Sequence, residues 1–156
     1  MVPNNRYDKF PISFETGDEN LTPVKRELLK HFGLSLEHYL RRDIIAPKLL
    51  ATLRIIAADE EELKQLSDTQ KPFTMLNPTN EDRVLTALED TAADLLNTIN
   101  SAHNFVDEND LLADQSLSAK KRLAVMYRKE IKAILTDTLR LVEMRSMINA
   151  LLSHTS

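Results

Sequence analysis

The sequence predicts an all-α fold: an irregular multi-helix bundle with a short extended segment at its N-terminus and one long helix at its C-terminus. Three observations carry that expectation. Apolar residues from Val24 onward recur at spacings of three and four. Helix-start chemistry precedes several of these runs, as a capping residue followed by proline or by acids. Residues 118–152 contain neither proline nor glycine, so nothing in them breaks a helix. The chain divides into an extended lead-in, residues 1–20, and a helical domain, residues 21–156.

Residues 10–15 alternate Phe10, Ile12 and Phe14 with Pro11, Ser13 and Glu15, the period-two pattern of a half-buried strand. Pro11 has no N–H to donate and confines that strand to an edge. The segment reads as a lead-in rather than part of a sheet-based core, and everything after it reads as helix. Thr22 and Pro23 have N-cap and first-turn chemistry, and Gly33 ends that helix. Its Val24, Leu28, Leu29 and Phe32 share a face. A second helix is expected over Ser35–Arg42 and a third over Pro47–Ala57, with Leu49, Leu50, Leu53, Ile56 and Ala57 packing inward.

Asp59 and Glu62 have capping-box spacing, with Glu60 and Glu61 in a first turn where the helix dipole favours acids. Pro72 and Pro78 bracket a loop. Asn80, with Glu81 and Asp82, opens the next helix, whose core side is Val84, Leu85, Leu88, Ala92, Leu95, Leu96 and Ile99. Ser118 caps the last helix, about 50 Å long if continuous to Leu152 at 1.5 Å per residue. Its stripe of Leu123, Tyr127, Ile131, Ile134, Leu135, Val142, Ile148 and Leu152 is interrupted by Thr138 and Arg145. It is therefore expected to pack less tightly toward its middle, and to be the spine of the domain rather than a projection.

Composition excludes much chemistry. The 156 residues include no cysteine, which removes zinc ribbons, iron–sulfur clusters and thiol nucleophiles. Two glycines, Gly17 and Gly33, are too few for a dinucleotide fingerprint, a phosphate loop or a nucleophile elbow. No apolar run is long enough to span a membrane, and residues 1–15 lack the features of a secretory or transit signal, so the expected location is cytoplasmic or nuclear. Glu27 and His31 stand at i and i+4, but a catalytic zinc needs a third protein ligand, and none shares their helix face. A calcium loop from Asp107 fails at Leu111, Leu112 and Ser118. No catalytic constellation stands out, and no catalytic, cofactor-binding or metal-binding residue is assigned.

Charge is unevenly spread. Residues 59–116 carry three Lys+Arg against fourteen acids, whereas residues 117–156 carry eight against three. An acidic middle can steer a basic segment of a partner protein toward the chain. The candidate partner-binding residues are therefore Glu60, Glu61, Glu81 and Asp82, with Lys120, Lys121 and Arg128 on the basic side of the last helix. The segment LLKHFGLSLEHYLRR has the shape of a helix-turn-helix, with His38, Arg41 and Arg42 on its second helix. A sequence pI near 5.6 opposes the nucleic-acid reading.

Three stretches together carry a family resemblance: VPNNRYDKFPISF; LLKHFGL followed by APKLLATLRIIAADEEELKQL; and SAKKRLAVMYRKEIKAIL. In this order they resemble the C-terminal helical domain of SET-domain protein methyltransferases, the RuBisCO LSMT-type substrate-binding domain, over almost the whole chain. Leu49, Leu50, Leu53 and Arg54, followed by Asp59-Glu60-Glu61-Glu62-Leu63, carry the most specific part of the likeness. In the last helix Arg128, Lys132, Ile134 and Leu135 match the family, while Glu130 and Ile131 depart from its glycine–glutamate pair. Val2-Pro3-Asn4-Asn5 resembles the segment that directly follows the family's catalytic module.

The resemblance implies a domain, residues 21–156, that helps hold a protein substrate beside a SET module in cis, for methylation of lysine or histidine. It implies S-adenosylmethionine as the cofactor of the parent enzyme, bound by the SET module. No residue pair here matches that module's cofactor or catalytic motifs, so no cofactor is expected in this chain and the chain alone is expected to be inactive. A helical adaptor without methyltransferase activity is the alternative, and a helix-turn-helix nucleic-acid binder the more distant one.

Overall fold

A computed structural model describes residues 9–14, 21–66, 70–102, 113 and 118–155. In chain order it contains β1 (Lys9–Ser13), α1 (Pro23–His31), β2 (Glu37–Arg41), α2 (Pro47–Ile56), α3 (Glu60–Gln65), α4 (Pro78–Ala102) and α5 (Ala119–Thr155). The architecture is mostly α, with a two-stranded antiparallel sheet.

The N-terminal elements follow their local chemistry. Thr22 accepts from the Lys25 amide at the start of α1, and Gly33 takes φ +67°, the left-handed turn that ends it. Val24, expected on the core side, is exposed, while Leu29 is buried. The expected helix over Ser35–Arg42 is instead strand β2. It pairs with β1 in the register Phe10↔Leu40, Ile12↔His38. The reason is period two: Leu36, His38 and Leu40 point inward while Glu37, Tyr39 and Arg41 stay in water. The strand of the lead-in is thus part of the core, with Ile12 and Phe14 both buried. The loss of the second helix also removes the helix-turn-helix.

Helix α2 is buried nearly all round and divides the interior. Leu49, Leu50 and Leu53 join Val84, Leu85 and Leu88 of α4 and Ile131, Ile134 and Leu135 of α5 in the main cluster. Ala51 and Ile55 face Leu21, Leu29 and Leu66 in a second one. Lys25 of α1 donates its Nζ to the Ile56 carbonyl at the C-terminus of α2, where a cation meets the negative end of the helix dipole. The Asp59–Glu62 capping box forms at α3. The next helix starts earlier than expected, at Pro78, because Asn77 rather than Asn80 supplies the cap by accepting from the Asn80 amide at 2.8 Å.

Helix α5 runs unbroken for 37 residues, and Ser118 accepts from the Lys121 amide at its start. Its packing reverses the expected gradient. The middle is the tightest part: Ile134, Leu135 and Val142 are fully buried and Thr138 returns its hydroxyl to the Ile134 carbonyl. The ends are open, with Leu123, Tyr127, Ile148 and Leu152 all exposed. Asp137 ties α5 to the sheet by accepting from Arg42 Nε at 3.0 Å. The calcium-loop candidate that starts at Asp107 lies mostly outside the described residues, as 103–112 and 114–117 are not described.

Two outcomes test this packing. Leu88→Ala, at a fully buried position, should cost about 2–5 kcal/mol in urea unfolding, whereas Leu151→Ala should stay within about 0.5 kcal/mol. The second concerns His38, whose Nε2 lies 2.7 Å from the Ser35 carbonyl and 3.0 Å from Thr52 Oγ1. Burial holds its pKa below the ordinary 6.5, outweighing the Ser35 carbonyl, which favours the charged ring. The unfolded chain then binds this proton more readily, so the His38 contribution is present above about pH 6.5 and is lost as pH falls toward the folded value. His38→Gln should flatten the decline of the urea midpoint as pH falls below about 6.5; parallel declines would refute the assignment.

Candidate functional site

The most polar part of the interior lies where α2, α3, α4 and the loop before α4 converge. Arg54 faces α4 from the third-last position of α2. Its Nε donates to Glu81 Oε1 at 2.9 Å and its Nη2 to Oε2 at 2.8 Å, a two-pronged fork, while Nη1 donates to the Pro72 carbonyl at 3.0 Å. Both side chains are buried. A buried ion pair is tolerable only when its geometry is close and its remaining donors are used, and this one satisfies both conditions.

Beside it, Glu62 gathers a second set of donors. Its Oε2 accepts from Asn77 Nδ2 at 2.6 Å, and its Oε1 from the Asp59 amide at 2.9 Å and from Arg83. Arg83 Nε also reaches the Ala57 carbonyl at 3.0 Å, and Asn80 Nδ2 reaches the Arg54 carbonyl at 3.2 Å. Three acids of the 59–82 stretch, Asp59, Glu62 and Glu81, are thereby consumed by the fold.

A groove of about 490 Å³ opens on the far side of the Arg54–Glu81 pair. Arg54, Glu81 and Met75 form one wall, and Leu141, Met144, Arg145, Ile148, Asn149 and Leu152 of α5 form the other. Asn149 is buried at its base and donates Nδ2 to the Pro78 carbonyl at 2.9 Å, but its Oδ1 has no partner among the described residues. The groove continues onto an apolar stripe in which Met144, Met147, Ile148 and Leu151 are each more than half exposed. Sequence reasoning missed this site. Its signal was a second apolar face on the last helix, at positions 144, 147, 148, 151 and 152, the repeat of a helix-docking stripe.

The sequence-predicted partner residues are scattered. Glu60 and Glu61 are exposed at the start of α3, and Asp82 is exposed just past the first turn of α4. Glu81 is buried rather than in water, its carboxylate paired with Arg54 on the wall of the groove. Lys120 and Lys121 are exposed at the start of α5, and Arg128 is half-buried further along it. Glu27 and His31 share an exposed, shallow depression on α1, and among the described residues no cluster of three or more His, Asp or Glu could hold a metal ion. No helix of the described residues is long and apolar enough to cross a membrane.

Comparison with known proteins follows the same outline. The family model described as Rubisco LSMT substrate-binding matches residues 16–135. Actin-histidine N-methyltransferase of Papio anubis is 31% identical over 148 residues, covering 85% of this chain and 24% of the relative. The Homo sapiens protein of the same name is 30% identical over the same shares. The chain thus spans about a quarter of the length of these curated relatives. Among solved structures, the SET domain of LSMT bound to methyl-lysine and AdoHcy superposes with a TM-score of 0.73 at 17% identity, over 96% of this chain and 36% of that one. Rubisco LSMT bound to AdoMet superposes at 0.72 and 16% identity, over 94% and 37%. At such identities these two likenesses establish the fold.

The buried pair generates a stability prediction. Arg54→Met or Glu81→Leu alone leaves a charge without its partner and should cost about 3–5 kcal/mol, whereas the double replacement should recover most of that loss. Urea unfolding of the four proteins measures the coupling, and strictly additive losses would count against it.

Proposed function

The chain belongs to the Rubisco LSMT substrate-binding family, and on that premise we propose that it holds the protein substrate for a SET methyltransferase module in cis. The match of the family model to residues 16–135 is the observation that carries this reading. The curated relatives point the same way, because they are protein methyltransferases of which this chain corresponds to roughly a quarter. Methyl transfer from S-adenosylmethionine belongs, in this proposal, to the SET module, since the similar solved structures carry AdoMet or AdoHcy in chains far longer than this one. The work of the present domain is binding, in the cytosol or nucleus, with a side chain of the substrate such as lysine or histidine presented to the module.

Surface charge offers a second support. With Glu81 withdrawn into the core, Glu60, Glu61 and Asp82 remain in water at the starts of two successive helices, and they suit a basic stretch of substrate. Lys120, Lys121 and Arg128 are the corresponding candidates for an acidic stretch. An exposed charge acts over about 8–10 Å at physiological salt, so such contacts govern encounter more than residence.

Capture from cytosolic extract tests the reading, followed by labelled S-adenosylmethionine with and without a SET module joined upstream. A retained protein should take up label only when the module is present. Retention without labelling in either case would favour the adaptor alternative. The triple variant Glu60→Lys, Glu61→Lys, Asp82→Lys should lower retention several-fold at about 50 mM salt and much less at about 300 mM, where screening has removed most of the attraction. Unchanged retention at low salt would exclude these acids from the partner face.

A further inference from the structure

The charged surface leaves the most unusual feature of the molecule unused, namely the groove at the C-terminal half of α5. Its apolar lining runs at i, i+3, i+4, i+7 and i+8 through Met144, Met147, Ile148, Leu151 and Leu152, about two helical turns. That is the imprint one helix offers another. Two methionines on this stripe and Met75 on the opposite wall give it side chains that adapt to an incoming surface.

The polar groups of the groove define the chemistry of its occupant. Arg54 and Glu81 neutralise each other. Arg145, on the lining and exposed, has no hydrogen-bond or ion-pair partner among the described residues. The groove therefore carries one uncompensated positive charge. Asn149 is 6% exposed and its Oδ1 is a buried acceptor without a donor among the described residues. An occupant that brings a carboxylate to Arg145 and a hydrogen-bond donor toward Asn149 answers both vacancies.

We infer that this groove docks an amphipathic helix of a partner protein, its leucine-type side chains between α5 and Met75 and an acidic side chain paired with Arg145. The inference deepens the substrate-recognition reading and rests on it for the partner's identity as substrate. Binding is read on this chain alone and without methylation, so the groove can fail while substrate recognition through another face stands.

The probe is a fluorescein-labelled helical peptide with leucines at i, i+3, i+4 and i+7 and glutamates flanking them. Two companions replace the glutamates by lysines or the leucines by serines. Fluorescence anisotropy with the whole chain should show binding of the first peptide and weaker or no binding of the companions. Ile148→Glu, on an exposed position, should abolish binding with far-ultraviolet circular dichroism unchanged. Arg145→Glu should weaken the acidic peptide about tenfold and improve the lysine companion, a reversal that general damage to the fold would not produce. Lys64→Glu on α3 should change neither. Equal binding of the acidic and basic peptides, or indifference to Ile148→Glu, would overturn the inference. So would a stable dimer in sedimentation that Ile148→Glu dissolves while no peptide competes, because the occupant would then be a second copy. Loss of peptide binding once the SET module is joined upstream would overturn it too, with the module itself as the cover.

Discussion

The buried contact between Arg54 and Glu81 is the constraint on which the arrangement of helices depends. Three elements must meet within a few tenths of an ångström for it to exist: α2 supplies the guanidinium, α4 the carboxylate, and the loop before α4 the Pro72 carbonyl. Hydrophobic burial alone would let α2 and α4 slide past one another at small cost, since leucine-to-leucine contact is not directional. A desolvated fork is directional, and misplacing it exposes the full penalty of two unpaired charges. Glu62 acts likewise one layer out, where its oxygens gather donors from Asp59, Asn77 and Arg83. Together the two carboxylates fix how α3 and α4 leave the end of α2.

How far the fold could be read in advance depended on whether its cause was local. Helix ends set by side chains three residues away, Thr22 with Lys25 and Asp59 with Glu62, were readable. The long last helix was readable for the same reason, as nothing within it breaks a helix. Strand β2 was not, because the alternation of Leu36, His38 and Leu40 is too short to stand out beside the helical runs around it, and the pairing with β1, distant in sequence, fixes it as a strand. The placement of the candidate site was the least readable part. Glu81 has the sequence context of a solvated first-turn acid, and its partner lies 27 residues upstream. The groove required two faces of α5 to be told apart, and a single averaged stripe merged the buried Val142 with the exposed Ile148.

The acidic middle of the chain likewise resolves into two populations with different physics. Glu62 and Glu81 are buried and answered by Arg83, Asn77 and Arg54, so their charge is spent internally, while Asp59 caps α3 from an exposed position. Glu60, Glu61 and Asp82, and the outer-face Glu89, Asp90 and Asp94 of α4, stand in water. Among the described residues of this stretch, the exposed acids carry the field that a partner meets at a distance. Net charge over a sequence window therefore overstates the steering potential, and the correction comes from burial rather than from composition.

Helix α5 divides into a half that is held and a half that presents. Residues 131–142 are fixed between α2, α4 and the sheet, with Asp137 anchored to Arg42 and Val142 fully buried. Beyond them, among the described residues, Asn149 alone is buried, and it ties the helix to the start of α4 through the Pro78 carbonyl. Because an α-helix propagates orientation stiffly over two turns, anchoring one half sets where Met144, Ile148 and Leu152 sit before anything binds. The wall opposite them is no softer, since Arg54 and Glu81 are locked by each other. Binding to such a surface orders only the methionine side chains and the Arg145 guanidinium, so less conformational entropy opposes association than if the helix had to form or swing into place. The same buried pair that sets the fold therefore also sets the shape of the groove, and a change to either residue should be felt at both.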